Sequence, residues 1–286
     1  MSEVHLVECP RDAMQGIHDF IPTEVKVRYL NDVLRAGFGT IDIGSFVSPK
    51  AIPQMADTAE VLAGLDLTGT GAKLLVIVAN GRGAEQAAAQ PHVSYLGYPF
   101  SISETFQQRN TNTSIAGSWE RTQAIARIAA EAKKELVVYI SMAFGNPYGD
   151  PWSAEVAAHW TKRLGEEIGV RIISLADTVG VARPDDVRAM FSALIPSFPQ
   201  VVFGAHLHAR PDNWKAKTDA AWIAGCRRFD GAIRGYGGCP MAEDELVGNL
   251  ATELFIADLE MRGVRTGIDQ AQLAKCVAMA GEVFPA

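Results

Sequence analysis

The chain has 286 residues, 48% of them hydrophobic, so it can bury a large core; its formal net charge of -7 leaves no general basic face for nucleic acid or an anionic membrane. An anionic substrate would need a local cation or a metal ion. No window reads as a transmembrane helix, the start lacks the charged and apolar regions of a signal peptide, and Cys9, Cys226, Cys239 and Cys276 fit neither a zinc knuckle nor a disulfide scaffold. A reduced, cytoplasmic protein is expected.

In chain order, short β-branched runs alternate with longer segments of helical period. The predicted strands are His5–Cys9, Thr40–Phe46, Leu74–Asn80, Val93–Phe100, Val137–Phe144, Arg171–Asp177, Val201–His208 and Arg227–Gly235. The predicted helices are Thr23–Arg35, Ile52–Leu62, Gly83–Ala89, Ser118–Ala132, Ala154–Ile168, Pro184–Leu194, Asn213–Gly225 and Glu243–Met261, with an extra terminal helix over Asp269–Val283. Regular alternation of eight strands and helices, without a Gly-x-Gly-x-x-Gly turn after the first strand, predicts an α/β fold closed as a (β/α)8 TIM barrel. With no linker in view, residues 1–286 are expected to form one catalytic barrel domain.

The seventh strand ends in His206-Leu207-His208. Alternate side chains of a strand share a face, so the two imidazoles look the same way with Cα atoms about 6–7 Å apart, close enough to share a metal ion. By itself the spacing equally suits one core histidine and one loop histidine. The first strand runs into Arg11-Asp12, which elsewhere would be a solvated surface pair. At the mouth of a barrel, Asp12 could add a hard oxygen to the ion and Arg11 could face an anionic substrate oxygen. The second strand closes with Ile41-Asp42-Ile43-Gly44-Ser45-Phe46, which brings a carboxylate to the same end, Asp177 ends the sixth, and the glycine-rich Gly235-Tyr236-Gly237-Gly238-Cys239 loop follows the eighth. Barrel closure would gather all of them at one end.

Together, Pro10-Arg11-Asp12, Ser45-Phe46-Val47-Ser48-Pro49-Lys50, Pro53-Gln54-Met55-Ala56-Asp57, Ser174-Leu175-Ala176-Asp177-Thr178, His206-Leu207-His208, Gly237-Gly238-Cys239-Pro240 and Gly248-Asn249-Leu250-Ala251-Thr252-Glu253 resemble the 3-hydroxy-3-methylglutaryl-CoA lyase family. The resemblance covers nearly the whole chain. It implies a divalent-metal-dependent carbon–carbon lyase acting on an acyl-CoA, with Mg2+ or Mn2+ held by Asp12, His206, His208 and Asn249. It further implies catalytic roles for Arg11, Cys239, Asp42 and Asp177, substrate contacts from Gln15, Tyr139 and Ser174, and a homodimer. The chemistry is a retro-Claisen cleavage, which needs a cation beside the thioester enolate and a proton donor for the product; Arg11 and the Cys239 thiol suit those tasks.

Several positions depart from the family pattern. Asp42 stands where a glutamate is usual, and Glu8 is displaced by one position relative to the usual first-strand glutamate. Ala209-Arg210-Pro211-Asp212 replaces Asp-Thr-Tyr-Gly, and Glu243, Asp244 and Glu245 replace smaller residues. These changes leave the acyl group open. Lys50, Arg82 and Arg109 are placed either to meet coenzyme A phosphates or simply to be solvated. A condensing acyltransferase of the isopropylmalate or homocitrate synthase kind is the alternative activity, and an acyl-CoA-binding relic is the non-enzymatic one.

Overall fold

The computed structural model describes residues 3–238 and 247–284. Its strands are β1 (His5–Glu8), β2 (Thr40–Phe46), β3 (Lys73–Val78), β4 (Val93–Ser101), β5 (Glu135–Ser141), β6 (Ile172–Asp177), β7 (Val202–Leu207) and β8 (Arg228–Gly231). All pair in parallel in sequence order, and β8 closes on β1 with His5 opposite Arg228 and Glu8 opposite Gly231. The fold is the expected (β/α)8 barrel. Strands covered on both faces read as unbroken apolar runs, as in β5, where every residue after Glu135 is buried.

The helices are α1 (Pro10–Met14), α2 (Thr23–Leu34), α3 (Thr58–Ala63), α4 (Gly81–Ala88), α5 (Glu104–Thr111), α6 (Ile115–Glu131), α7 (Ala154–Ile168), α8 (Pro184–Ser197), α9 (Trp214–Ile223), α10 (Thr252–Met261) and α11 (Gln270–Val283). Side-chain caps from Asn80, Ser103, Ser114, Ser153 and Asp269 satisfy first-turn N–H groups of five of them. The extra terminal helix α11 packs on α2, where Gln272 and Lys275 both bond Asp32 and Phe284 meets Tyr29 edge to face at 5.1 Å.

Three expectations are corrected. The Ile52–Leu62 segment splits into a 3-10 turn at Pro53–Met55 and the helix α3, because buried Gln54 is drawn inward to bond Ile17, Asp19 and Ile21 backbone groups. The eighth strand stops at Gly231, since a 3-10 turn with left-handed Arg234 (φ 63°) follows. The helix expected from Glu243 begins only at Thr252, because Asn249 and Ala251 instead make bridges to His208 and Ala232; residues 243–246 lie outside the described ones. Two short helices went unforeseen: α1, opened by Pro10, and polar α5, anchored by the Ser103 cap and by Asp150, which accepts from the Thr105 N–H and the Ser103 hydroxyl.

The barrel interior holds both apolar and charged side chains. Leu75, Val137 and Tyr139 form an apolar cluster with Ile77, Tyr95 and Ile172. Next to it, the interior also buries the polar residues Thr40, Asp42, Ser174, Arg228 and Asp230. Room for the Arg228 guanidinium comes from Gly204 on β7, where a Cβ would lie 2.4 Å from Ser174 Oγ and 2.9 Å from Arg228 Nη1. Gly204→Ala therefore overpacks the interior and should cost ~1–3 kcal/mol of stability. Urea unfolding checks this, and a variant as stable as the parent would mean that this layer is slack.

Candidate active site and metal centre

At the C-terminal end of the strands, Asp12 from α1 meets His206 and His208 from the end of β7. One ligand atom from each lies within 4.8 Å of the others, and all three residues are buried. His206 Nε2 stands 4.0 Å from Asp12 Oδ2, too far for a hydrogen bond and within the span of two donors on one ion at bond lengths of ~2.0–2.2 Å. The two rings sit 5.3 Å apart, as the strand alternation requires. Asn249 lies beside them, its amide nitrogen donating to Asp12 Oδ2 (2.8 Å) and the Tyr236 carbonyl (2.9 Å). Two imidazoles, a carboxylate and an adjacent amide suit a divalent ion with open positions, so the residues fit a metal of that class.

The donors are held from behind. His208 Nδ1 meets the Val247 carbonyl at 2.9 Å, and His206 Nδ1 meets Asp230 Oδ2 at 3.2 Å. Burial lowers the His208 pKa, helped by His206, whereas for His206 the same effect of burial is overcome by the hydrogen bond and charge of Asp230. Asp12 remains acidic: burial alone would raise its pKa, but Arg11, His206 and His208 together lower it.

Arg11 is the hub of the carboxylates. Its Nε and Nη2 both donate to Asp42 Oδ2 (3.0 and 2.6 Å), and Nη1 donates to Asp12 Oδ1 (2.7 Å) and Gln15 Oε1 (2.9 Å). Burial disfavours its charge, but Asp42 and Asp12 more than compensate and raise its pKa. Those four bonds leave one Nη2 proton of the five donors without a partner among the described residues. Asp42 is fully buried, which pushes its pKa up to about 6 against the pull of Arg11, and its Oδ1 lacks a hydrogen bond among the described residues. The register of β2 against β3 shifts immediately after Asp42, a bulge of the kind that re-aims side chains near active sites.

Arg11, Asp12, Gln15, Tyr139, His206 and His208 all line one cavity of about 530 Å3, which continues past Val47, Ile52, Ile77 and Phe106 to Arg109. Four predicted site residues lie off this cavity wall: Asn249, which lines a neighbouring cavity, and three others. Asp42 sits behind Arg11, and Ser174 lies deeper in the barrel, bonded to Arg228. Asp177 is turned away and held at 2.6 Å by Lys217, whose ammonium also bonds the carbonyls of Gly180 (2.9 Å) and His208 (3.0 Å). A buried lysine on α9, just beyond the altered segment after the histidines, thus captures the carboxylate. Cys239 lies outside the described residues. Two residues before it, Gly237 (φ 99°) is pressed so closely to the centre that a Cβ there would come within 2.6 Å of the Asp12 carbonyl and 2.7 Å of Asn249 Nδ2.

The HMGL-like family model matches residues 4–279. The chain belongs to the HMGL-like family. It is 36% identical over 274 residues to a mitochondrial hydroxymethylglutaryl-CoA lyase of Macaca fascicularis, covering 95% of this chain and 82% of that protein. It is 35% identical over 269 residues to the 3-hydroxy-3-isohexenylglutaryl-CoA/hydroxymethylglutaryl-CoA lyase of Pseudomonas aeruginosa, covering 93% and 88%. Among solved structures, an HMG-CoA lyase from Acinetobacter baumannii in complex with coenzyme A and 3-methylmalate superposes with a TM-score of 0.90 at 29% identity, covering 98% of this chain and 91% of that one.

Sequence reasoning left Glu8 unassigned and missed Lys217, Arg228 and Asp230. Charged residues at alternate positions of an otherwise apolar strand, as in Arg228-Phe229-Asp230, were the available signal for the last two. Glu8 ties the β8 turn to α10: Oε1 accepts from the Ile233 N–H (2.8 Å) and Oε2 bonds the Thr252 hydroxyl (2.6 Å). Burial pushes its pKa from 4.5 up to about 8, with those two bonds opposing in part. The folded protein thus keeps a proton that the unfolded chain releases. The contribution is fully present below the unfolded pKa and is lost as pH rises towards about 8. Glu8→Gln keeps an acceptor for the Ile233 N–H and cannot ionise, so it should flatten this slope. Unfolding midpoints of parent and variant across that range test it, and parallel curves would rule it out.

Proposed function

We propose that this protein is a divalent-metal-dependent carbon–carbon lyase that splits 3-hydroxy-3-methylglutaryl-CoA, or a close 3-hydroxyacyl-CoA, into acetyl-CoA and acetoacetate or the matching 3-oxoacid. The observation that carries it is the convergence of Asp12, His206 and His208 beside Arg11 on the wall of one cavity, in a chain of the HMGL-like family. Asn249 is assigned as the further ligand through its amide oxygen, and the oxygen- and nitrogen-rich donor set favours Mg2+ or Mn2+. Two relatives carry names specifying this substrate type, and one solved relative was crystallised with coenzyme A.

A bound divalent ion would supply Lewis acidity toward the substrate's 3-hydroxyl and a neighbouring oxygen. The remaining work falls to side chains. Loss of the hydroxyl proton and scission of the bond between C2 and C3 leave the electron pair on the thioester as an enolate. Arg11, fixed by Asp42 on one edge and by Asp12 and Gln15 on the other, holds a guanidinium rigidly at the cavity wall, with one Nη2–H to offer that oxygen. The enolate carbon then takes a proton, which we assign to the Cys239 thiol. Asp42 serves as the positioning partner of Arg11, and Tyr139 borders the acyl group. Arg109, the second arginine on the wall, suits a coenzyme A phosphate. The reading extends to a homodimer in a reducing cytoplasm, consistent with free Cys9, Cys226 and Cys276. Among the described residues, no helix is long and apolar enough to cross a membrane.

Protein loaded with Mn2+ should release acetyl-CoA from a panel of 3-hydroxyacyl-CoA esters, with activity abolished by a chelator and restored by Mg2+ or Mn2+; mass spectrometry of the products decides. Condensation of acetyl-CoA with a 2-oxoacid in place of cleavage would replace this reading with the acyltransferase. Interactions made mainly in the transition state affect turnover when removed. Arg11→Met and Cys239→Ala should each lower kcat by ~100–1000-fold with metal content unchanged. Full activity in either variant rejects that residue's role.

A further inference from the structure

Beneath the candidate metal centre, the barrel contains a polar chain that the chemistry above does not use. Arg228 and Asp230 alternate on β8, so both point into the barrel, and both are only 2% exposed. Arg228 Nη1 donates to Asp230 Oδ1 (2.8 Å) and to Ser174 Oγ (2.8 Å), while Ser174 Oγ lies 3.3 Å from Asp230 Oδ2. Because the serine oxygen accepts from the arginine, its own proton is available to that carboxylate oxygen. The result is a closed ring of arginine, serine and aspartate. Its outer corner, Asp230 Oδ2, meets His206 Nδ1 at 3.2 Å.

We propose that Asp230 and Arg228 are positioning residues for the metal ligand His206: Asp230 accepts the Nδ1 proton, which leaves the Nε2 lone pair aimed at the ion, and Arg228 holds Asp230 in place. This rests on the metal reading of the site. The argument is one of donors and acceptors. An ionised carboxylate can only accept, so the ring nitrogen facing it carries the hydrogen, and in the neutral imidazole that metal ligation requires, the nitrogen on the Asp12 side is the bare one. Without Arg228, Asp230 would lose its partner on Oδ1 and with it a fixed orientation. Gly204 belongs to the device, since any larger residue would occupy the space of the guanidinium. A merely stabilising ion pair would need no histidine at its end and no particular tautomer.

The test uses the full chain stripped of metal. In the parent protein, nitrogen-15 NMR of the imidazoles should show His206 as the Nδ1–H tautomer. Mn2+ titration calorimetry should show Asp230→Asn binding ~10–100-fold more weakly than the parent, because one amide oxygen cannot serve both Arg228 and His206. Arg228→Met should weaken binding in the same direction by a smaller factor, and Arg228→Lys should recover part of the loss. Circular dichroism establishes that each variant is folded. Folded variants with parental Mn2+ affinity, or a His206 in the Nε2–H form, would overturn the proposal. Should the Asp230 variant not fold, the tautomer in the parent and the Arg228→Lys comparison still decide. A parent protein that binds no Mn2+ would instead sink the metal reading, and this proposal with it.

Discussion

Buried charge at one end of the barrel is the constraint on which the rest depends. Asp12, Asp42 and Asp230 are all buried there, and an isolated carboxylate in such surroundings costs several kcal/mol. Arg11 answers the first two and Arg228 the third. Three carboxylates face two guanidiniums, and burial, with a smaller push from Asp12, lifts the Asp42 pKa to about 6. When both histidines are neutral, as metal ligands must be, these groups leave one negative charge in excess. A divalent cation is the natural complement of that excess, and the ligand atoms converge where it would sit.

The same accounting explains how the surrounding loops are held. Lys217 spans from α9 to bond Asp177, the Gly180 carbonyl and the His208 carbonyl, fastening the loop after β6 to the backbone of a metal-site histidine. A catalytic carboxylate has to face substrate, and Asp177 faces an ammonium instead. On the other flank, Glu8 bonds both the turn after β8 and the first residue of α10. Tyr236 in that turn meets Phe284 beyond α11 at 5.6 Å, so the terminal helix steadies the segment carrying Gly237 and Asn249. These supports lie outside the cavity wall, yet they determine where its donors stand.

The cavity itself divides by chemistry. Its inner end is charged and aimed at oxygen atoms, whereas Val47, Ile52, Ile77 and Phe106 supply an apolar wall farther along. An acyl chain bearing a carboxylate and a branch would match that gradient. Membership of the HMGL-like family leaves room for variation there, since one relative is named for an isohexenylglutaryl substrate as well as the methyl one.

The eight strands, their order and most helices were legible because apolar period and turn chemistry are local properties. Thr40–Phe46 and Ala154–Ile168 match their predicted limits. The pairing of Asp12 with His206 and His208 was legible too, because a strand-end His-x-His and an Arg-Asp pair after the first strand must meet once the barrel closes. Local reading failed where distant contacts override propensity. Gln54 breaks a predicted helix to satisfy backbone groups of another loop, and the Asn249 segment pairs with His208 rather than extending α10. It also could not say which carboxylates face the cavity. Asp42 lies within β2 and Asp177 at the end of β6, and only the folded chain brings Arg11 onto one and Lys217, 40 residues away in sequence, onto the other. Residue type and strand position thus determined the donors near the mouth, while the cation that each buried carboxylate meets in three dimensions decided its orientation.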